Sequence, residues 1–332
     1  MQHMSFNALR RALVAGGIVF CGLAAVGGPA QAADFPERPI TLVAPYPAGG
    51  AADVLSRILG KALGDNLGQA VVVENKPGAG TAIGAAAVAG AKPDGYTLLV
   101  SSNSTFTLNP ALQPKLSYDP AKSFDAIGMV GSVALAMLVN PSVTATDVQQ
   151  FVAAAKANPD KYVYGSFGNG TSSNFAGAMF NTATGLKMTH VPYKGSGPLM
   201  TDLMGGQIPV SFDTVVAASQ QLKSGKVRVL AVAMSKRSAL LPNVPTMAEA
   251  GYPTVDMNAW LAVVAPKGVP APVKARLEKA LATVMANPEI IEKLKGAGFE
   301  PGYAAIPDWP GMVTAEIARM KTLAERSQIK VD

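Results

Sequence analysis

The sequence is poor in cysteine, histidine and charged residues, and each shortage excludes a class of function. Its 332 residues include one cysteine and two histidines, and 15% of the residues are charged. The single cysteine, Cys21, lies near the N-terminus, so the rest of the chain has no disulfide, thiolate nucleophile or sulfur metal site. After residue 32 the one remaining histidine is His190, which excludes multi-histidine metal sites and Cys–His catalytic pairs.

Charge of either sign forms no run along the chain. The net charge is +6, and it falls to +4 once residues 1–32, which hold two arginines and no acids, are set aside. This mild, scattered excess lacks the basic clusters and interleaved aromatic residues of nucleic-acid-binding proteins, so we expect no nucleic-acid partner. Hydrophobic residues make up 49% of the chain, which predicts a globular protein of one or two domains.

The N-terminal segment reads as an export signal. Two arginines at positions 10 and 11 precede the uncharged stretch ALVAGGIVFCGLAAVGG, and Ala30 and Ala32 then occupy the small-residue positions of a secretory cleavage site. We predict that residues 1–32 are a signal peptide cleaved after Ala32, which places the protein in the periplasm. A membrane anchor is the alternative, but the stretch is short, rich in glycine and closed by the cleavage pattern.

The rest of the chain alternates short apolar runs with helical patterns. Strands are predicted at residues 40–44, 70–75, 96–102, 134–140, 162–166, 188–193, 209–213 and 227–233, and helices in most of the intervals. This order predicts α/β domains with largely parallel sheets. From about residue 271 the pattern becomes helical, and a further helix is predicted over residues 312–326.

The turn at residues 45–50 has the features of an anion site. It joins a predicted strand to a helix, where unpaired backbone N–H groups and the positive end of the helix dipole favour a carboxylate or phosphate. Gly49 and Gly50 let the backbone approach a ligand closely. Asp53 is placed to cap the helix and to pair with Arg57 four residues later. A tight connection without any ligand is the alternative interpretation.

A second turn, in the segment YGSFGNGTSSNFAG at residues 164–177, repeats this arrangement. Glycines at positions 168 and 170 are followed by three hydroxyl residues where a helix is predicted to begin. The lysine of a nucleotide phosphate loop is absent, so a small acid fits better than ATP. Two such turns in separate α/β halves can face each other across a cleft and hold one anion between them. A serine cap after a flexible loop is the alternative.

Enzyme interpretations find weaker support. Gly78, Gly80 and Gly84 resemble a dinucleotide-binding turn, but residues 95–116 contain no acid to hold the ribose. Close packing of a helix on the sheet explains these glycines more simply. A nicotinamide-dependent enzyme therefore stays as the alternative, and we expect a binding protein without cofactor or metal.

Four segments carry a resemblance to a known family. YPAGGAADVLSRIL, VVVENKPGAGTAIGAAAVAGAKPDGYTLL, HVPYKGSGPLMTDLMGGQI and LPNVPTMAEAGYP resemble the tripartite tricarboxylate transporter solute receptors, also called Bug proteins. The resemblance covers nearly all of the chain after residue 32. It implies a two-domain, type II-like periplasmic binding protein with crossing strands, a ligand cleft at the domain interface and delivery of an organic anion to a membrane permease. A signalling system is the alternative partner.

The resemblance also implies domain bounds and a ligand class. We expect residues 34–135 plus 260–332 to form the first domain and residues 136–259 the second, in a monomer. Two facing turns suit a ligand with two anionic ends, or with one acid and a polar tail, so we expect dicarboxylates first, aliphatic or aromatic, while monocarboxylates stay open.

The segments that match the family imply that loops of both domains contact the ligand. Asp213 is expected either to contact the ligand or to hold the hinge, whereas His190 and Trp260 are more simply explained by packing. The candidate ligand-binding residues are Tyr46, Pro47, Ala48, Gly49, Gly50, Ala51, Ser102, Asn103, Ser104, Thr105, Gly168, Asn169, Gly170, Thr171, Ser172, Tyr193 and Asp213.

Overall fold

The computed structural model of the protein describes residues 35–113 and 115–329. The predicted signal peptide, with its cleavage after Ala32, lies outside these residues. The strands are β1 (Ile40–Ala44), β2 (Val71–Asn75), β3 (Thr97–Ser102), β4 (Phe124–Val139), β5 (Val163–Ser166), β6 (Thr189–Pro192), β7 (Val210–Thr214), β8 (Arg228–Val232), β9 (Asn258–Pro266) and β10 (Phe299–Ala304). The helices are α1 (Ala51–Leu67), α2 (Ala82–Ala89), α3 (Asn109–Leu112), α4 (Val148–Ala157), α5 (Ser172–Thr184), α6 (Ser196–Met204), α7 (Val215–Leu222), α8 (Ala271–Ala286), α9 (Pro288–Gly296) and α10 (Trp309–Arg326).

The strands form one mixed sheet whose two halves share β4. In the first half the order is β2-β1-β3-β9-β4, with β10 also paired to β4. In the second half the order is β4-β7-β5-β6, with β8 also paired to β4. The N-terminal part of β4, as far as Ala134, pairs with β9, and Leu135 to Val139 pair with β7 and β8. We call these halves, with their helices, the first and second lobes.

Strand direction differs from the prediction where the lobes meet. Within each lobe the expected parallel pairing is present, between β1 and its neighbours β2 and β3 and between β5 and its neighbours β6 and β7. The prediction of largely parallel sheets is wrong for β4, β8, β9 and β10, whose strand pairings are all antiparallel. Strand β4 leads into the second lobe and β9 returns beside it, so the two run in opposite directions. Composition alone does not encode that direction.

The bounds of the lobes fall inside these crossing strands. The predicted domain borders near residues 135 and 260 lie within β4 and β9 respectively. Contacts unite Pro36–Asp332 in a single compact unit, so the division of that unit into two moving domains stays a prediction.

Each lobe has an aromatic core. In the first lobe Phe106 packs edge-on against Trp309, with ring centroids 4.9 Å apart, and stacks on Trp260 at 5.9 Å. The indole N–H of Trp260 donates to Glu316 at 3.1 Å, so this residue belongs to the core rather than to the cleft. In the second lobe Phe180 packs against Phe212 at 5.6 Å. Such ring pairs fix the distance between helices and sheet.

None of the helices within residues 35–113 and 115–329 combines the length and hydrophobicity needed to cross a membrane.

Candidate functional site

The junction of β1 and α1 presents free backbone donors. Helix α1 begins at Ala51, and its N-cap Gly50 is extended, with φ −80° and ψ 171°, and has no side-chain cap. The N–H groups of the first helical turn have no partner inside the helix, so they point out of its N-terminus. Gly50, Ala51 and Ala52 line a cavity between the lobes, which we call the inner cavity.

Asp53 fixes the shape of this junction. Its carboxylate accepts the N–H of Gly49 at 2.9 Å and pairs with Arg57 at 2.9 Å, which confirms the predicted pairing. The predicted cap is wrong, because the N-cap is Gly50 and Asp53 lies within the first turn of α1. Asn75 donates both to Asp53 Oδ1 and to the carbonyl of Tyr46, each at 3.0 Å. Burial opposes ionisation of Asp53, but hydrogen bonds from Arg57, Gly49 and Asn75 outweigh burial and lower its pKa. Asp53 therefore stays charged and orients the loop, and it lines neither of the cavities described below.

The end of β3 provides a hydroxyl pair at the inner cavity. The hydroxyl groups of Tyr46 and Ser102 lie 2.8 Å apart, and both residues line the cavity. Burial raises the pKa of Tyr46, so its phenol keeps its proton. The neighbouring residues face inwards: Thr105 donates to Thr81 at 2.7 Å, and Asn103 donates to the carbonyl of Asn258 at 3.0 Å.

The loop between β5 and α5 approaches this pair from the second lobe. The N–H of Ser172, the first residue of α5, donates to Ser104 Oγ at 3.0 Å, which is a direct hydrogen bond between the lobes. The Ser172 hydroxyl is buried, lines the inner cavity and has no hydrogen-bond partner among the described residues. The N-cap residue Thr171 donates its hydroxyl to the carbonyl of Gly168 at 2.6 Å, which holds the loop closed.

His190 contacts residues on both sides of the loop between β5 and α5. Its Nε2 lies 2.6 Å from Ser166 Oγ, and its ring stacks on Tyr164 with centroids 4.9 Å apart. Asn174 of α5 contacts the Nδ1 side of the ring at 3.3 Å. Burial lowers the pKa of His190 to about 4, so the ring is neutral at neutral pH. Its place in the fold is to connect β5, β6 and α5.

The starts of α6 and α7 meet at Asp213. The hydroxyl of Ser196, the first residue of α6, donates to Asp213 Oδ1 at 2.8 Å, and the N–H of Thr214 donates to the same oxygen at 2.6 Å. The other oxygen, Oδ2, is buried without a hydrogen-bond partner among the described residues. Burial raises the pKa of Asp213 to about 7, although the hydrogen bonds from Thr214 and Ser196 counteract part of that effect.

Four helix N-termini therefore converge on one small space. The inner cavity has a volume of about 30 Å³, and residues at the N-termini of α1, α5, α6 and α7 line it together with apolar residues of β4 and β9. Within the described part of the chain no residue that lines it carries a charge, so the helix dipoles and N–H groups dominate and favour an anion. The lining residues are Tyr46, Pro47, Gly50, Ala51, Ala52, Ser102, Val133, Phe167, Ser172, Ser196, Thr214, Ala259 and Leu261.

A larger outer cavity of about 390 Å³ adjoins the inner one. Tyr46, Pro47 and Phe167 line both cavities and form their common wall, and the rings of Tyr46 and Phe167 meet edge-on at 6.4 Å. The outer cavity is lined by Pro45, Tyr46, Pro47, Pro77, Gly78, Ala79, Gly80, Thr81, Gln113, Phe167, Gly168, Asn169, Thr171, Pro192, Tyr193, Lys194 and Gly195.

Close contacts bring the two lobes together at the outer cavity. A Cβ atom on Gly195 of the second lobe would stand 2.5 Å from Cγ of Pro47 in the first. A Cβ atom on Gly80 of the first lobe would stand 2.6 Å from the carbonyl oxygen of Asn169 in the second. Such approaches explain glycine at both positions without a dinucleotide.

The structure separates the predicted site residues into three groups. Tyr46, Pro47, Gly50, Ala51, Ser102 and Ser172 line the inner cavity, and Tyr46 and Pro47 also line the outer cavity with Gly168, Asn169, Thr171 and Tyr193. Ala48, Gly49, Asn103, Ser104, Thr105, Gly170 and Asp213 line neither, although Ser104 and Asp213 bond to residues that do.

Several residues of the inner cavity are not among the predicted ligand-binding residues. Ser196 and Thr214 begin or cap helices, and Phe167, Val133, Ala259 and Leu261 supply its apolar walls. The signal for Ser196 was its position directly after Gly195, where a helix begins. No comparable signal distinguishes an apolar wall residue from a core residue. Within the described ranges no group of three or more His, Cys, Asp or Glu side chains is arranged to hold a metal ion.

Comparisons with a family model and with known proteins point to the same family. The model of the tripartite tricarboxylate transporter family receptor matches residues 55–329. Protein BugT of Bordetella pertussis is 34% identical over 94% of this chain and 96% of its own.

Solved structures agree with the observed fold. The periplasmic binding protein BugD is 35% identical, with a TM-score of 0.84 over 89% of this chain and 99% of its own. Rpa4515 of R. palustris, solved with adipate, is 33% identical, with a TM-score of 0.86 over 90% of this chain and 99% of its own. The predicted fold class, a two-domain α/β periplasmic binding protein, is confirmed.

Proposed function

Because the chain belongs to the tripartite tricarboxylate transporter receptor family, we propose that it is a periplasmic receptor that binds a small dicarboxylate between its lobes. It then delivers the ligand to the membrane permease of a tripartite transporter. The predicted signal peptide supports export. We further propose that the protein acts as a monomer and catalyses no reaction.

The convergence of four helix N-termini on the inner cavity carries this proposal. An anion placed there meets first-turn N–H groups of α1 and the unpartnered hydroxyl of Ser172. Each charge-assisted hydrogen bond contributes roughly 1.5 to 3 kcal/mol. A few of them support a micromolar dissociation constant, which corresponds to about 8 kcal/mol, after the costs of ordering.

The two cavities support a ligand with two ends. The inner cavity, at about 30 Å³, takes one end of a small acid, whereas the outer cavity of about 390 Å³ has room for a chain and a second polar end. In the outer cavity Lys194 supplies a positive charge for that second end. The adipate bound by Rpa4515 is a ligand of this shape.

A screen of candidate ligands tests the proposal. The purified protein is heated with single dicarboxylates from malonate to adipate, with phthalate, with monocarboxylates including nicotinate, and with NAD and ATP. We expect at least one dicarboxylate to raise the melting temperature and to be recovered unchanged by mass spectrometry. Stabilisation by NAD alone, or conversion of any compound, would refute the receptor and favour an enzyme.

A further inference from the structure

The hydroxyl of Ser196 has a fixed direction. Oδ1 of Asp213 accepts hydrogen bonds from the backbone N–H of Thr214 and from the hydroxyl of Ser196. Because it acts as an acceptor for the Thr214 N–H, this oxygen is not the donor in its bond with Ser196. The only hydrogen of the Ser196 hydroxyl therefore points at Asp213. Since Ser196 also lines the inner cavity, it offers lone pairs, and no hydrogen, to whatever occupies that space.

Ser196 stands directly opposite the start of α1. A Cβ atom on Gly50 would lie 3.9 Å from Ser196 Oγ, which is the distance of ordinary contact. The wall on the α1 side donates hydrogen bonds through its backbone N–H groups, and the Ser172 hydroxyl is free to donate too. One small cavity thus combines several donors suited to a carboxylate with an acceptor, Ser196 Oγ, that a carboxylate cannot satisfy.

We infer that Ser196, held in place by Asp213, is a specificity-determining residue that selects carboxylates bearing a hydroxyl group next to the bound carboxylate. The inference rests on the proposed function and names the substrate class of that same cleft. A hydroxyl fits better than an ammonium group, because no described residue that lines the inner cavity is charged and the carboxylate of Asp213 lies behind the Ser196 hydroxyl, out of contact with the ligand.

Ser196 discriminates between acids by weakening the binding of the acid that lacks the hydroxyl group. When the lobes close on an unsubstituted diacid, Ser196 Oγ loses contact with water and gains no donor, and an unpaired buried polar group is costly. Sites built around a polar substrate group discriminate against analogues that lack it for this reason. A single such loss corresponds to a difference of about tenfold or more in dissociation constant.

Calorimetry with matched acid pairs tests the inference. The probes are succinate against L-malate and D-malate, adipate against 2-hydroxyadipate, and L-aspartate. We expect the wild-type protein to bind a hydroxy acid at least about tenfold more tightly than its unsubstituted partner. In Ser196→Ala this ratio falls to about one, because the acceptor is gone. Taking the ratio within one variant cancels any general loss of affinity.

Two control variants distinguish loss of the Ser196 acceptor from a general loss of affinity. Ser172→Ala removes a donor that serves both acids of a pair, so both affinities fall and the ratio is kept. Asp213→Asn retains an oxygen that accepts from Ser196, so it also keeps the ratio. A ratio unchanged in Ser196→Ala overturns the inference, as does tighter binding of L-aspartate than of either malate. Equal binding of both members of each pair overturns the inference alone, whereas binding of no acid at all overturns the proposed function.

Discussion

At the scale of single residues, Asp213 makes binding depend on pH. Burial raises its pKa to about 7, and Ser196 connects its carboxylate to the inner cavity. Above pH 7 the ionised carboxylate repels a bound anion, so affinity is highest below pH 7 and falls as the pH rises through it. If the ligand raises the pKa of Asp213 by about one unit, the dissociation constant increases about sevenfold between pH 6 and pH 8.5. Calorimetry over this range measures the slope.

A pair of variants tests this origin of the pH dependence. Asp213→Asn is neutral at every pH, so its affinity curve is flat over the same range. Asp65→Asn removes an exposed carboxylate about 20 Å along α1 from its N-terminus and keeps the wild-type slope. A wild-type slope in Asp213→Asn assigns the pH dependence to another group.

Substitutions at Gly50 test whether the ligand occupies the inner cavity, because a larger side chain would fill its volume. Its φ of −80° suits any residue, and an added Cβ atom would meet Ser196 only at ordinary contact distance. We therefore expect Gly50→Ala to bind with little loss. The methyl groups of Gly50→Val extend into the cavity, so binding weakens by about a hundredfold or more while the melting temperature is nearly unchanged. Unchanged calorimetric affinity of Gly50→Val contradicts the site.

Sequence motifs predicted some of the residues that line the inner cavity. A glycine turn before a helix identified Gly50, and a hydroxyl run at a helix start identified Ser172, because both features arise from local sequence. Asp213 was predicted either to contact the ligand or to hold the hinge. Its partnership with Ser196 joins residues 17 positions apart on different elements, and only the folded lobe brings them together.

At the scale of elements, His190 ties β6 to β5 and α5 and makes the second lobe sensitive to acid. Its folded pKa of about 4 lies below the ordinary 6.5, so the unfolded chain takes up a proton first as the pH falls. The stability that neutral His190 contributes is present above pH 6.5 and is lost as the pH falls towards 4. In His190→Gln, thermal unfolding shows a lower melting temperature at pH 7 but a smaller decrease between pH 7 and pH 4.5.

Asn181 offers the matched control for this prediction. It also ties α5 to the chain before β6, through its bonds to the backbone of Met188, but it does not titrate. Asn181→Ala lowers the melting temperature by a similar amount at every pH. An equal acid loss in wild type and His190→Gln would assign the acid sensitivity to other groups.

Periodicity identified many elements because their patterns are local. Strand β1 begins and ends at the predicted residues, since its apolar run is short and bounded by turns. Strand β4 was predicted only over its apolar C-terminal part, although it begins at Phe124. Its first half contains Asp125, Gly128 and Gly131 at or beside irregular pairings, and these residues break the alternation that marks a strand. Pairing with β9 and β10 stabilises it instead.

At the scale of the whole molecule, the family resemblance supplied what local pattern did not. The crossing of β4 and β9 pairs residues more than 120 positions apart, as in the register of Ala134 with Asn258. No property of either segment reveals such a partner in a single sequence. The inner cavity forms from both lobes, so its small volume and apolar walls depend on a closure that the sequence does not encode locally.

Closure of the lobes gives the last prediction. The inner cavity of about 30 Å³ holds about two waters, so a dicarboxylate enters only when the lobes separate, and its contacts with both lobes then favour closing. Small-angle scattering should therefore show a smaller radius of gyration at saturating ligand. Gly80→Ala places a Cβ atom 2.6 Å from the carbonyl oxygen of Asn169 in the other lobe, so it impairs both compaction and binding. Gly185→Ala carries similar backbone strain, with φ of 70° against 58°, but its Cβ atom meets no atom of the described residues within 4 Å, so this variant should compact like the wild type. Equal compaction in both variants would mean that the lobes do not close through this contact.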